Sequence, residues 1–252
     1  MIKWKLLLTT LPFVAASLAV KLVLDLVFHV EPVVEFSDIG VVLTGAVFLI
    51  GFMLSGTMSD YKESEKLPGD LACALEGLED DLLQACAAKP DLDAAKMRAA
   101  ARALAAAVRE WLLKRQTQAA TFDAITAVHD VIFAAERAGA SSHAARAMSE
   151  LQAVRKAVTR IGVISRTSFL QSGYALLDTL VVLSVAMLMV AKFKSQIAEM
   201  IVVPFVTLIF VYMVRLIRDV DDPFEYSPDG KRGGAAEVEL LPLDDLDARW
   251  RR

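Results

Sequence analysis

Four side chains in one apolar stretch of the sequence have the types and the spacing to line a path for ions. They recur at i, i+4, i+8 and i+11 and so share one helix face: Thr44, Phe48, Phe52 and Ser55. The stretch around them, residues 39–59, contains no charged residue. Around a common axis, phenylalanine rings form a hydrophobic constriction that gates by dewetting, and their edges tolerate anions. Ordinary packing of the rings against another helix is the alternative, and composition alone favours it.

The other apolar stretches carry ionisable residues, which are costly in a membrane and therefore informative. Lys21 and Asp25 are four residues apart, so they can pair on one helix face. We interpret this pair as structural, and a charge near the outer mouth of a pore is the alternative. Asp178 is predicted either to neutralise a basic neighbour or to line a vestibule.

These residues need elements that hold them in a membrane, and the sequence supplies four apolar stretches. The stretches cover residues 6–28, 39–58, 174–191 and 197–217. Each is close to the ~20 residues that a helix needs to cross a ~30 Å hydrocarbon layer. A signal peptide is disfavoured for the first stretch, because it is long and lacks a clear cleavage site. The sequence therefore predicts an all-α integral membrane protein with four transmembrane helices.

The predicted organisation has four parts. Residues 1–58 hold transmembrane helices 1 and 2, residues 59–170 form a cytoplasmic helical bundle between spans two and three, residues 171–218 hold helices 3 and 4, and residues 219–252 form an acidic cytoplasmic tail. Lys and Arg flank the spans on the side of the bundle, whereas the loop at 29–38 has neither. We predict a multi-pass protein of the inner (plasma) membrane with both termini cytoplasmic. Lys192 and Lys194, in the other short loop, oppose this orientation.

The middle region is predicted to be helical, because Ala is abundant and Gly and Pro are sparse. Three apolar sets recur at helical spacing: Met97, Ala101, Leu104, Val108, Trp111 and Leu112; Phe122, Ile125, Val128, Ile132 and Phe133; Met148, Leu151, Val154, Val158 and Ile161. Breaks and N-caps are expected at 89–91 and 139–142. Residues 230–236 are expected to be a flexible insertion. The tail is either solvated and partly disordered, or anchored through residues 240–243 and Trp250.

No motif of an enzyme or of a metal site is found in the sequence. It contains no nucleotide-binding loop, no metalloprotease or serine-hydrolase motif and no Cys/His zinc pattern. For His129, beside Asp130, a surface or packing role is preferred over metal binding. Cys73 and Cys86 are expected to be reduced thiols. We predict a protein that is not an enzyme and has no catalytic residue, metal, cofactor or nucleic-acid partner.

Short motifs stand at the ends of spans two and four. Span two begins with Phe-Ser-Asp-Ile-Gly at 36–40, and Gly-Phe at 51–52 precedes Glu-Ser-Glu-Lys-Leu-Pro-Gly at 63–69. The first motif resembles the start of the second span in the bestrophin family, including its bacterial members, and the last resembles that family's Glu-x-Arg-Lys-Leu-Trp-Gly. Leu-Pro-Leu-Asp-Asp-Leu at 241–246 resembles a stretch in the family's tail. Before it comes the family's acidic-or-Asn-Pro-Phe motif: Asp221, Asp222, Pro223 and Phe224. Glu65 and Pro68 depart from the family pattern, so we expect a divergent member of the bacterial type.

The resemblance implies a homopentamer with one central pore lined by span two. The family's neck residues carry over to Thr44, Phe48 and Phe52, and we expect Ser55 to offer a hydroxyl contact below them. Thr44 stands where a larger apolar residue is usual, so the upper neck is expected to be wetter. The motif at 221–224 would fix the tail against the cytoplasmic helices, across subunits. The insertion at 225–239 stands where some relatives have a calcium-binding clasp, which puts calcium gating in doubt.

The function implied by the resemblance is passive conduction of small monovalent anions such as chloride, in contact with membrane lipids. A cation-selective channel stays open, because some bacterial relatives favour cations. A membrane scaffold that docks a cytoplasmic partner and conducts nothing is the main alternative. A proton-driven stator ranks lower, because it requires an acidic relay on a pore-facing helix and span two has no carboxylate.

Overall fold

The structure, a computed structural model, is built almost entirely of helices. It describes residues 2–28, 33–167, 171–227, 229 and 236–251. The elements in chain order are α1 (Ile2–Leu26), β1 (Val34–Glu35), α2 (Phe36–Ser64), α3 (Leu67–Ala88), α4 (Ala94–Leu112), α5 (Gln118–Arg137), α6 (Ser141–Ile164), α7 (Gln171–Met189), β2 (Ala191–Lys192), α8 (Gln196–Asp221) and α9 (Leu241–Trp250). The predicted all-α fold is confirmed.

Four regions of helix are long and apolar enough to cross a membrane. These regions are α1, α7, α8 and the long helical region that starts at the beginning of α2. They coincide with the four predicted stretches. A helix satisfies all of its backbone hydrogen bonds within itself, which is why apolar sequence of this length adopts it in hydrocarbon. The chain is therefore an integral membrane protein with four spans.

The chain divides into two compact units. The first contains residues 1–60, 168–221 and 234–236, and the second contains residues 61–167, 222–233 and 237–252. The boundary lies inside α2, between Asp60 and Tyr61. The first unit thus holds the four spans, and the second holds α3 to α6 together with α9.

The core of the first unit is formed by α2, α7 and α8, and α1 packs along α8. One face of α2 joins this core through Ala46, Ile50 and Met53, which cluster with Leu177 of α7 and Phe210 of α8. The strand β1, which directly precedes α2, pairs in parallel with β2, which lies between α7 and α8. This packing fixes the rotation of α2 about its own axis.

The core of the second unit is centred on α3, which packs against α4, α6 and α9. The sequence prediction did not single out this helix, although Leu71, Leu75, Leu78 and Leu82 are fully buried. The apolar sets predicted for α4, α5 and α6 face the same core, with one exception. Phe133 is exposed, because its neighbour Ile132 faces the core and adjacent residues point about 100° apart on a helix.

The helix boundaries follow local backbone chemistry. The break predicted at 89–91 is present, but the N-cap is Asp93, whose carboxylate accepts from the backbone N–H groups of Ala95 and Lys96. The break at 139–142 is present as well, with Gly139 at φ 84°, where a side chain would be strained. An additional break at 113–117 was not predicted. It ends in Thr117, the N-cap of α5.

The tail is anchored through α9. Leu243 and Leu246 are buried against the second unit's core, and Arg102 lies over the ring of Trp250 at 5.6 Å. Arg249 donates two hydrogen bonds to the Glu76 carboxylate, at 2.8 and 2.7 Å. The anchored alternative is therefore correct for residues 241–250. Of the predicted flexible insertion, residues 230–235 lie outside the described residues.

Shortening Leu75 tests the central position of α3. We expect Leu75→Ala to destabilise the second unit by about 2–5 kcal/mol, because it leaves a cavity in a packed core. Amide hydrogen exchange of α3 in the detergent-solubilised protein measures this change. Leu241→Ala is the matched control, since Leu241 is exposed. Equal protection of α3 in both variants would contradict the assignment.

Candidate functional site

The four side chains predicted to line a pore lie together on the exposed face of α2. We call this face, formed by Thr44, Phe48, Phe52 and Ser55, the neck face. Phe48 is 77% exposed and Phe52 is 57% exposed. The neck face points away from the buried face that holds Ala46, Ile50 and Met53. Most of the surface of both rings is thus left uncovered by the described part of the chain.

The two hydroxyl groups of the neck face differ in their bonding. The Thr44 hydroxyl donates to the backbone carbonyl of Gly40 at 2.8 Å, so its remaining capacity is to accept. The Ser55 hydroxyl makes no hydrogen bond to any described residue, so its O–H can donate to an acceptor from outside the described chain. A donor suits an anion, and Ser55 is therefore the more suitable of the two for anion contact.

Glycines lie on both flanks of the neck face. Gly51 and Gly40 are about 60–80° to one side of Phe48, and Gly45 and Gly56 are about 60–80° to the other, since each residue turns a helix by about 100°. A Cβ atom built at Gly40, Gly45 or Gly51 would meet nothing within 4 Å. Among the described residues, these three glycines therefore have no packing partner, and they leave two flanks of small residues that neighbouring helices could approach closely.

A buried cation joins three of the spans. The Lys21 ammonium lies 3.1 Å from the Asp25 carboxylate, 2.6 Å from the Glu199 carboxylate and 2.9 Å from the Met189 carbonyl oxygen. The Lys21 side chain is only 6% exposed. The predicted pair with Asp25 is present. Glu199 was missed because it is distant in sequence, although an acidic residue at the start of an apolar span was a signal that could have indicated it.

The charge predicted to be significant in span three is neutralised. Asp178 accepts a hydrogen bond from Arg218 of α8 at 2.5 Å, so of the two predicted roles the neutralising one is observed. Arg215, one turn earlier on α8, lies over the ring of Phe13 at 4.9 Å. The arginines near the end of α8 are thus held by partners on α7 and α1.

The tail motif is held by Phe224. Its side chain is 1% exposed and belongs to the core of the second unit. The Asp222 carboxylate accepts from the Phe224 backbone N–H at 3.4 Å, and the Pro223 carbonyl accepts from the Val238 N–H at 3.0 Å. Tyr226 donates its phenolic hydrogen to the Val238 carbonyl at 2.5 Å. Phe224, Tyr226 and Val238 all belong to the same hydrophobic core.

A second contact involves the motif that follows α2. Arg160 of α6 donates two hydrogen bonds to the Glu63 carboxylate, at 2.8 and 2.5 Å. These bonds hold the pKa of Glu63 below its ordinary value. The pair joins the last turn of α2 to α6 within the second unit. Sequence analysis named Glu63 but could not identify a partner 97 residues away.

The described histidine and cysteine side chains all belong to the second unit, whereas the neck face belongs to the first. In the part of the chain that the structure describes, no three His, Cys, Asp or Glu side chains are close enough to hold a metal ion. The Nδ1 atom of His129 lies 3.0 Å from the Thr126 carbonyl oxygen, and its ring is next to Phe133. Cys73 and Cys86 are free, and burial raises the pKa of the Cys86 thiol.

Comparison with known structures identifies the fold. No protein-family model and no curated protein sequence matches the chain. A crystal structure of a bacterial bestrophin homologue from Klebsiella pneumoniae shares 15% identity, covers 97% of both chains and has a TM-score of 0.76. Another structure of such a homologue from that organism shares 16% identity over 96% of this chain and 94% of that one, with a TM-score of 0.75. A structure described only as a membrane protein shares 14% identity over 93% of this chain and 94% of that one, with a TM-score of 0.77.

These matches define the chain as a four-span, all-helical membrane protein of a known architecture. The chain has the bestrophin fold, and the predicted resemblance is confirmed at the level of the fold. At these identities the side chains of the neck face have to be judged by their own chemistry.

Replacing the buried lysine tests the ionic link between the spans. We expect Lys21→Met to destabilise the first unit by about 3–5 kcal/mol, because it leaves two carboxylates without their cation. The measurement is the melting temperature in detergent. Adding Glu199→Gln to the Lys21→Met variant should restore much of the lost melting temperature. Lys62→Met, at an exposed position, is the control, and equal melting of Lys21→Met and this control would refute the link.

Replacing the anchor of the tail tests the motif at 221–224. Phe224→Ala should cost about 3–5 kcal/mol, since a fully buried aromatic ring is removed. We expect hydrogen exchange to accelerate in α9 and α3, whose core includes the ring. Phe133→Ala serves as the matched control, because Phe133 belongs to the same unit but is exposed. Unchanged exchange in Phe224→Ala would show that the motif does not fix the tail.

Proposed function

We propose that the chain assembles into an oligomeric channel that conducts small monovalent anions, such as chloride, through a neck lined by α2. The observation that carries this proposal is the uncharged neck face, which is exposed and turned away from the core of its own unit. The bestrophin fold supports it, because this is the fold of the family whose neck residues correspond to Thr44, Phe48 and Phe52.

A single α2 helix encloses no path, so conduction requires several copies of the chain. The glycines on both flanks of the neck face support a ring of α2 helices. When Phe48 points to the axis, Gly51 faces one neighbouring helix and Gly45 faces the other, and small residues allow close approach of helices. Closed rings of identical subunits are the rule for such assemblies. The proposed assembly is the homopentamer that the resemblance implies.

The chemistry of the neck face favours small anions over cations. The edges of the Phe48 and Phe52 rings carry partial positive charge, and the face has no carboxylate that would attract a cation. Ser55 offers a hydroxyl donor below the rings, where an ion leaving the neck recovers part of its hydration. The rings restrict the passage by dewetting. Transport is passive, so the proposal includes no catalytic residue, cofactor or covalent step.

The remaining charges of the spans do not provide a proton relay. Asp178 is paired with Arg218, and Lys21 is held by Asp25 and Glu199. A proton-driven stator needs an acidic group on the helix that faces the pore, and α2 lacks one within its apolar part. We place the protein in the inner membrane with both termini and the second unit on the cytoplasmic side, following the distribution of Lys and Arg.

Ion flux through liposomes tests the proposal. We expect wild-type protein to pass chloride, and Phe48→Ala with Phe52→Ala to raise the flux severalfold, because smaller side chains widen the neck and keep it wet. Leu183→Ala is the matched control, since Leu183 is an exposed apolar residue on a different span. The reversal potential in a potassium chloride gradient reports the sign of the permeant ion.

Each part of the proposal has an outcome that contradicts it. A pentamer without any flux would favour the scaffold that docks a cytoplasmic partner. A reversal potential near that of potassium would establish a cation channel with the same fold. Flux that responds equally to the double variant and to Leu183→Ala would remove the neck face from the path.

A further inference from the structure

A pocket of about 530 Å³ lies in the first unit, where α2 and α8 begin and the short strands pair. This volume is within the range of small-molecule sites. The walls are largely apolar, formed by Phe36, Phe193, Ala198 and Val202. The rings of Phe36 and Phe193 are in contact, with their centroids 5.1 Å apart. None of the residues considered so far for conduction lines this pocket.

Two lysines, Lys192 and Lys194, line this pocket. Lys192 and Lys194 are both exposed, and neither forms an ion pair with any described residue. Glu35, the pairing partner of Lys192 in the parallel sheet, also lines the pocket, and its carboxylate accepts a hydrogen bond from Ser37 at 3.4 Å. The rim therefore carries two positive charges and one negative charge. These are the two lysines that oppose the orientation indicated by the other basic residues.

An exposed apolar face continues from the pocket along α8. Ile201 and Phe205 follow Ile197 at intervals of four residues, and all three side chains are exposed within the chain. Ala198 and Val202 lie beside this face on the same helix. A ligand that fits both regions has an anionic head for the lysines and a long apolar tail for α8.

We propose that the pocket binds the head of an anionic phospholipid, with its phosphate at Lys192 and Lys194 and one acyl chain along Ile201 and Phe205. A soluble phosphate would gain only the charge interaction, whereas a lipid also covers the apolar walls. Membrane-surface lysines contribute about 1 kcal/mol each to attraction of acidic lipids, which is about fivefold in affinity. The excess positive charge at this rim is then explained by the ligand that it binds.

Native mass spectrometry of the full-length protein in an uncharged detergent tests this site. Phosphatidylglycerol and phosphatidylcholine with identical acyl chains are added at equal concentration. We expect wild-type protein to prefer phosphatidylglycerol, and Lys192→Gln with Lys194→Gln to weaken its binding by about 25-fold, two factors of five. Lys62→Gln with Lys96→Gln removes the same charge from exposed positions outside the first unit and should keep the preference.

A variant that keeps both lysines tests the pocket itself. Ala198→Phe fills the apolar wall, so we expect phosphatidylglycerol binding to fall while the melting temperature without lipid stays unchanged. The proposal is overturned if the Lys192 and Lys194 double variant retains the preference, or if both lipids bind wild-type protein equally. Displacement of the lipid by millimolar inorganic phosphate would also overturn it, since it would indicate a site for a free anion. None of these readouts depends on ion conduction.

Discussion

The packing of one face of α2 against α7 and α8 determines what the other side of this helix presents. Ala46, Ile50 and Met53 are buried, and Phe210 of α8 lies in the same cluster. Because a helix has a fixed angular period, burying this face turns Phe48 and its neighbours outward. In hydrocarbon an exposed apolar face meets lipid, another subunit or a pore, and the glycine flanks supply surfaces for neighbouring helices. Rotation of α2 by about 180°, close to a shift of two residues, would bury the neck face and abolish the site.

Charge neutralisation within the spans complements this arrangement. Isolated charges in hydrocarbon are expensive, so Lys21 and Asp178 persist only with partners. Lys21 has two carboxylates and a backbone carbonyl, which hold the ends of α1, α7 and α8 together. Asp178, in the first half of α7, is paired with Arg218, near the end of α8. Polar links at two places thus join α7 to α8, and one of them includes α1, whereas the described contacts of α2 with α7 and α8 along residues 39–59 are apolar.

Features set by local periodicity could be predicted from the sequence, and features set by distant pairing could not. The four spans, the core faces of α4 to α6 and the Lys21–Asp25 pair all follow from spacing along one helix. Glu199 as a partner of Lys21 and Arg160 as a partner of Glu63 depend on the fold, so no spacing rule finds them. The N-cap at Asp93 and the break at 113–117 were missed because several polar residues compete for such positions and only the backbone decides among them. Only the structure could establish that the neck face is exposed, since the same residues on a buried face would belong to the core.

The residues that determine the fold are not those of the neck face, so the fold alone does not determine the chemistry of that face. The same architecture is present in structures that share only about 15% identity with this chain, so the helices and their order persist while most side chains differ. The few side chains of the neck face are a small part of that pattern and can change without disturbing it, because they contribute nothing to the core of their own unit. Thr44, whose hydroxyl is bound to Gly40, and Ser55, whose hydroxyl is free of such a bond within the described chain, differ chemically although they share a face. The function of the neck face therefore has to be argued from the donors and ring edges of this chain, and not from the fold alone.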